Sequence, residues 1–147
     1  MVDRRGPWSP EQVEQFLTET VVPLRLSCHA PSGYPWILSL WYRFEDGAFH
    51  CATKADADIV GMLESDDRVA FEVSTNDTPY RGVRGRGVAS VTPDEEKQLL
   101  RGMLERYLGG TDSPLATHLL DPEREEVHIR IDPDRLVSWD YSGRMTD

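Results

Sequence analysis

The chain has 147 residues, a formal net charge of −10 and an isoelectric point near 4.8. That length suits one domain, residues 1–147, with a core large enough to fold without staples. An acidic surface repels nucleic acids and anionic membranes, so any anion has to be met by a local concentration of arginine. Two cysteines are too few for a disulfide framework, the start carries no apolar signal core, and no run reaches transmembrane length. The expectation is a cytoplasmic protein with neither nucleic acid nor membrane as partner.

In chain order, "SPEQVEQFLTET" predicts a helix: Ser9 as N-cap, Pro10 in the first turn, Gln12 completing a capping box, and Val13, Phe16 and Leu17 as its apolar stripe. "LRLSCHA", "WILSLWYRF" and "AFHCAT" predict three strands joined by hairpins at "PSG" and "EDG". "ADADIVGMLES" predicts a helix burying Ile59, Val60 and Leu63, and "RVAFEVS" a strand. A second capped helix is expected in "TPDEEKQLLRGMLERYLGG", with Thr92 as cap, Leu99 to Leu108 supplying its buried face and Gly109 and Gly110 ending it. "SPLATHLL" predicts a short helix, and "EEVHIRIDPDRLVSWDY" a last strand interrupted at Asp132 and Pro133. Mostly antiparallel strands with a few helices at the ends predict an α+β domain whose sheet curls into a barrel.

Between the strand "RVAFEVS" and the second capped helix lies "TPYRGVRGRGVASV", three arginines among three glycines in an acidic chain. Val83, Gly85, Gly87, Ala89 and Val91 alternate with Arg84, Arg86, Val88 and Ser90, so the arginines sit on a strand with one small-residue face. Strict alternation puts Arg81 on that small face, unless a bulge at a glycine changes the assignment. Cys28, His29, His50 and Cys51 do not make a convincing zinc site, because neighbours on a strand point to opposite faces and a buried structural cysteine is the simpler account. No hydrolase, kinase or dinucleotide-binding fingerprint is present.

The ordered features "GYPWILSLWYRFEDGAFHCATKADADIVGMLESDDRVAFEVS" and "YRGVRGRGVASV" resemble the pyridoxamine 5′-phosphate oxidase-like family over roughly residues 9 to 141. The resemblance implies a six-stranded split β-barrel with flanking helices, a homodimer, and FMN or a deazaflavin coenzyme held at the subunit interface. It implies that Ser39, Leu40 and Trp41 line the flavin ring and that Thr53 and Lys54 meet the ribityl phosphate. It also implies that the tail around Trp139 reaches toward the partner's groove. The family often places Ser and Lys in the following helix; Ala57 and Ile59 stand there instead. At least one of Arg81, Arg84 and Arg86 is therefore expected to replace the missing anchor. No residue demands a role as acid or base, so the catalytic residues are left open. The expected function is a flavin-dependent oxidoreductase or flavin-binding protein. The alternative is a non-catalytic split barrel without the phosphate anchor, binding no flavin but another flat ligand or a partner.

Overall fold

Local signals at the N-terminus fold as their chemistry dictates. Ser9 Oγ accepts from the Gln12 amide and Gln12 Oε1 accepts from the Ser9 amide, closing the capping box ahead of α1 (Pro10–Glu19). Val13, Phe16 and Leu17 are its buried stripe. The structure, a computed structural model, describes residues 1–145.

Among the described residues eight strands form one sheet: β1 (Asp3–Arg5), β2 (Leu24–His29), β3 (Pro35–Leu40), β4 (Tyr42–Glu45), β5 (Ala48–Lys54), β6 (Arg68–Ser74), β7 (Arg81–Pro93) and β8 (Glu126–Asp140). Their order is β3-β2-β6-β7-β8-β5-β4, with β1 added in parallel on β8. The split-barrel expectation holds, with eight strands rather than six. Three further helices follow in the chain: α2 (Asp58–Ser65), α3 (Gln98–Leu108) and α4 (Pro114–Leu119).

The segment expected as one strand, "WILSLWYRF", is two. β3 and β4 lie at opposite ends of the strand order and only Trp41 separates them, so the chain itself bridges the two edges of the curled sheet. The inner face buries Leu26, Phe49, Phe71, Val83, Ile129 and Ile131, and α1 and α2 add Leu17, Ile59 and Leu63 to the same core. A smaller apolar cluster forms outside β5, where Leu100 and Leu104 of α3 and Ala116 of α4 pack with Trp41 and Ala52.

The helix expected to be capped at Thr92 begins later. Thr92 is still in β7, opposite His128, and the chain then makes a 3-10 turn at Glu95–Lys97 with Glu96 and Lys97 in the left-handed region, φ 57° and 55°. Asp94 takes over the capping: its two carboxylate oxygens accept from the amides of Leu99 and Leu100, each at 3.0 Å. Gly109, with φ 76°, ends α3 as expected, but Leu108 lies on its exposed side. β8 runs on through Asp132 and Pro133. Its register against β7 slips between Arg86 and Gly87 by one residue, Asp134, so the bulge falls on the partner strand and the alternation of β7 is kept.

Candidate functional site

The seam between β3 and β5 opens into a groove of about 360 Å³, within the usual size of small-molecule sites. Ser39, Leu40, Trp41, Thr53 and Lys54, the five residues picked out on the second and third expected strands, all line it. Barrel closure explains the meeting, because it brings the end of β3 beside the end of β5. Trp41 is stacked on Tyr107 of α3, with centroids 5.0 Å apart and planes 7° apart, which fixes its indole. Tyr107 Oη donates to the Val22 carbonyl at 2.8 Å and accepts from the Tyr42 amide at 3.1 Å, and its burial raises the phenol pKa. It is thus a fixed, neutral backing for Trp41.

The floor and far wall come from residues with no recognisable signature: Leu100 of α3, Leu115 and Leu119 of α4, and the pair Arg124–Glu126. Arg124 holds Glu126 at 3.2 Å, and the Glu126 side chain is only 2% exposed. That carboxylate was invisible in sequence, since only the β5–β8 register, Lys54 opposite Glu126, brings it to the groove. Lys54 lies 3.4 Å from Asp56 in an exposed pair. Ile59, where the family often has a cation, is 2% exposed in the core and offers no donor. Ala57 leads into α2 without a side-chain cap.

The three arginines of β7 do not join this groove within one chain. Arg81 lies near the opposite end of the strand, its guanidinium 5.9 Å from the Phe16 ring centroid, beside a depression of about 480 Å³ with Trp8, Glu19 and Asp140. Arg84 and Arg86 point outward over the sheet, in a depression of about 470 Å³ floored by Ile37, Ala70 and Val137. They have acidic neighbours there: Glu72 is opposite Arg84 in register, and Asp134 is 2.9 Å from Arg86. Trp139 is opposite Gly82 and packs on Tyr141, and its Nε1 is buried without a partner among the described residues. Both of these depressions are larger than the seam groove. The groove is nevertheless the better candidate, because aromatic, hydroxyl and cationic groups from three separate segments converge on it and α3 and α4 close it with leucines.

Sequence reading also missed a histidine pair. His50 Nδ1 and His128 Nε2 are 2.8 Å apart, and His50 Nε2 is 3.3 Å from the Glu45 carbonyl. Burial, and next the charge of His50, lower the pKa of His128. Cys28 sits against Met62 Sδ at 3.9 Å, and Cys51 is wholly buried, its thiol pushed up to about 12 by desolvation. Both cysteines are core residues. Among the described residues no group of three or more metal-ligating side chains is assembled, and no helix is long and apolar enough to cross a membrane.

Comparison with known proteins bears on this arrangement. A family model described as Pyridoxamine 5′-phosphate oxidase matches residues 9–145. No curated protein matches significantly. Among solved structures, a conserved hypothetical protein from Mycobacterium tuberculosis is 26% identical with a TM-score of 0.77, over 96% of this chain and 90% of that one. An F420 reductase is 21% identical with a TM-score of 0.72, over 87% and 98%. An FAD-binding protein from Mesorhizobium loti is 20% identical with a TM-score of 0.63, over 89% and 93%. At those identities the last two establish likeness of fold.

Proposed function

We propose, for a chain that belongs to the pyridoxamine 5′-phosphate oxidase family, that the seam groove binds a flavin-type cofactor, FMN or a deazaflavin, and that the protein is an oxidoreductase working through it. The observation that supports this is the convergence of Ser39, Leu40, Trp41, Thr53 and Lys54 on one cavity. The donor set fits such a group: an apolar slot for a flat ring, hydroxyls along it, and cations at one end.

When bound, the cofactor supplies the electron or hydride chemistry. The chain's own residues position and shield it. Leu40, Trp41, Leu100 and Leu119 exclude water from a ring and favour one plane for it. Ser39 Oγ already accepts from Arg25 at 2.9 Å, so its hydrogen is free to donate to a ligand. Lys54 offers an ammonium to a phosphate, while Arg124 is held by Glu126 and adds less net charge. Arg81, Arg84, Arg86 and Trp139 lie elsewhere in the same chain and reach the ligand only if a second copy carries them there. A two-fold homodimer is therefore part of the proposal.

The test is the spectrum of the purified protein before and after denaturation, with titrations of FMN and of a deazaflavin, alongside the mass by light scattering. A released flavin spectrum or saturable binding, with a mass of two chains, is the expected result. A colourless protein that takes up neither would sink the cofactor assignment. It would favour the second reading, a non-catalytic barrel for a neutral flat ligand, which draws on Lys54 and Arg124 each being paired with an acid.

A further inference from the structure

Arg81 and Asp140 stand directly opposite each other where the β7–β8 ladder ends. Opposite charges at that spacing ordinarily meet, as Arg86 and Asp134 do at 2.9 Å farther along the same two strands. This pair does not. Asp140 is held elsewhere: its Oδ1 accepts from the amide and the hydroxyl of Ser142, and its Oδ2 accepts from the Trp8 indole at 3.3 Å. Arg81 makes no ion pair among the described residues, and its guanidinium lies 5.9 Å from the Phe16 ring centroid. Both groups open into the depression of about 480 Å³ whose wall also carries Trp8, Gln12, Phe16 and Glu19, a volume suited to a small molecule. Gln12 spends its Oε1 on the Ser9 amide, which leaves its NH2 to donate. Glu19 accepts from Gln15 at 3.3 Å and is in no ion pair among the described residues. The wall therefore keeps one guanidinium and two carboxylates apart and uncancelled.

We infer that this depression binds a basic α-amino acid of the lysine type, with its carboxylate on Arg81, its α-ammonium toward Asp140 and its side-chain ammonium toward Glu19. A guanidinium fork suits a carboxylate, and the two carboxylates of the wall call for two ammonium groups. The methylene stem between the charges finds an apolar wall in Trp8, whose indole is fixed by Asp140 and by Phe16, with ring centroids 5.0 Å apart. A simple anion would meet Arg81 only against the repulsion of two acids, and a neutral ring would leave all three charges unmatched. The site is complete within one chain and lies at the other end of β7 from the seam groove, so it does not rest on the cofactor reading.

Titration of the full chain with L-lysine, L-norleucine and cadaverine tests it, read by calorimetry and by the Trp8 indole N–H resonance, which Trp8→Phe identifies. Norleucine lacks the side-chain ammonium and cadaverine lacks the carboxylate. L-Lysine is expected to shift the Trp8 resonance to saturation, and each analogue to bind about tenfold more weakly, the usual effect of losing one charged hydrogen-bonding group. Arg81→Met should bring lysine down to the affinity of cadaverine without changing cadaverine's own. Glu19→Gln, on the exposed face of α1, should bring lysine down to the affinity of norleucine. Should Arg81→Met not fold, the Glu19→Gln variant and the two analogues still decide the matter. A Trp8 resonance that lysine leaves unmoved, equal affinity for lysine and both analogues, or a Glu19→Gln protein that binds lysine as the parent does overturns the inference.

Discussion

Leu40 and Tyr42 stand on opposite edges of one sheet although a single residue separates them. Trp41 between them has to turn the chain across the seam, and its stacking on Tyr107 holds that turn while presenting the indole to the groove. Replacing Trp41 with Ala is expected to cost about 2 kcal/mol, below the range for a fully buried Trp because the residue is half-buried. Trp41→Phe should recover part of that loss, since it keeps a ring against Tyr107. Urea denaturation followed by circular dichroism measures both. A Trp41→Ala protein as stable as the parent would mean that the stack contributes nothing to closure.

The C-terminal end of α1 is capped by a residue far away in sequence. Arg106 of α3 donates to the carbonyls of Thr18 at 2.8 Å, Thr20 at 3.0 Å and Leu17 at 3.3 Å, and lies over the rings of Tyr42 and Tyr107. No basic residue lies in the last turn of α1, so this guanidinium is what the helix dipole meets there. Arg106→Met should destabilise the fold by about 2 kcal/mol, the usual effect of losing hydrogen bonds to a charged group, because Tyr42 Oη still reaches the Leu17 and Thr20 carbonyls, at 2.7 and 2.8 Å, and exposed Thr18 turns to water. Arg106→Lys should rescue only part, because an ammonium lacks the planar fork that spans three carbonyls. Equal stability of the Lys variant and the parent would show that charge alone suffices.

The His50–His128 contact gives stability a pH dependence of definite sign. Burial and the facing histidine hold the pKa of His128 below its ordinary 6.5, so the unfolded chain takes up this proton at a higher pH than the native state does. Arg43 and Arg130 push the same way, and only Asp94 opposes them. Stability is therefore expected to be flat above about pH 6.5 and to fall as the pH drops toward the lower native value. His128→Gln should flatten the profile in that window while leaving the carboxylate region below pH 4.5 as in the parent. Melting temperatures across pH 7.5 to 5 provide the check, and an unchanged slope in the variant would exclude His128 as its source.

Much of this architecture was written locally. The capping box at Ser9, the turns at Gly33 and Gly47 with φ of 88° and 77°, the α2 stripe and the alternation of β7 each depend on neighbours within a few residues, and each formed as expected. What was not legible depended on closure of the sheet. "WILSLWYRF" is apolar and β-prone throughout, so nothing in it marks Trp41 as the point where the chain changes edges. Arg124 and Glu126 enter the groove through the pairing of β5 with β8, and His50 and His128 meet across 78 residues for the same reason. The delayed start of α3 has another cause: Thr92 and Pro93 were drawn into the long β7–β8 ladder, which left Asp94 to cap the helix. Sheet pairing outweighed a local capping signal.

The glycines of "RGVRGRG" have their clearest role in Gly85. A Cβ built there would lie 2.1 Å from the Arg135 carbonyl oxygen and 2.9 Å from Cζ of Phe71, which packs against the strand at that point. The close approach is what lets Phe71 tilt against Phe49, 4.6 Å between centroids, in the middle of the core. The backbone oxygen cannot yield without disturbing the β7–β8 ladder, so Gly85→Ala is expected to cost on the order of 3 kcal/mol, as for overpacked core sites. Gly61 is the control: it is in the α2 helix with nothing within 4 Å of an added Cβ, so Gly61→Ala should be neutral or stabilising by up to about 1 kcal/mol. Thermal or chemical denaturation of the two variants separates the cases. A Gly85→Ala protein as stable as its Gly61→Ala counterpart would mean that the strand gives way without cost, and that close packing is not why glycine stands between Arg84 and Arg86.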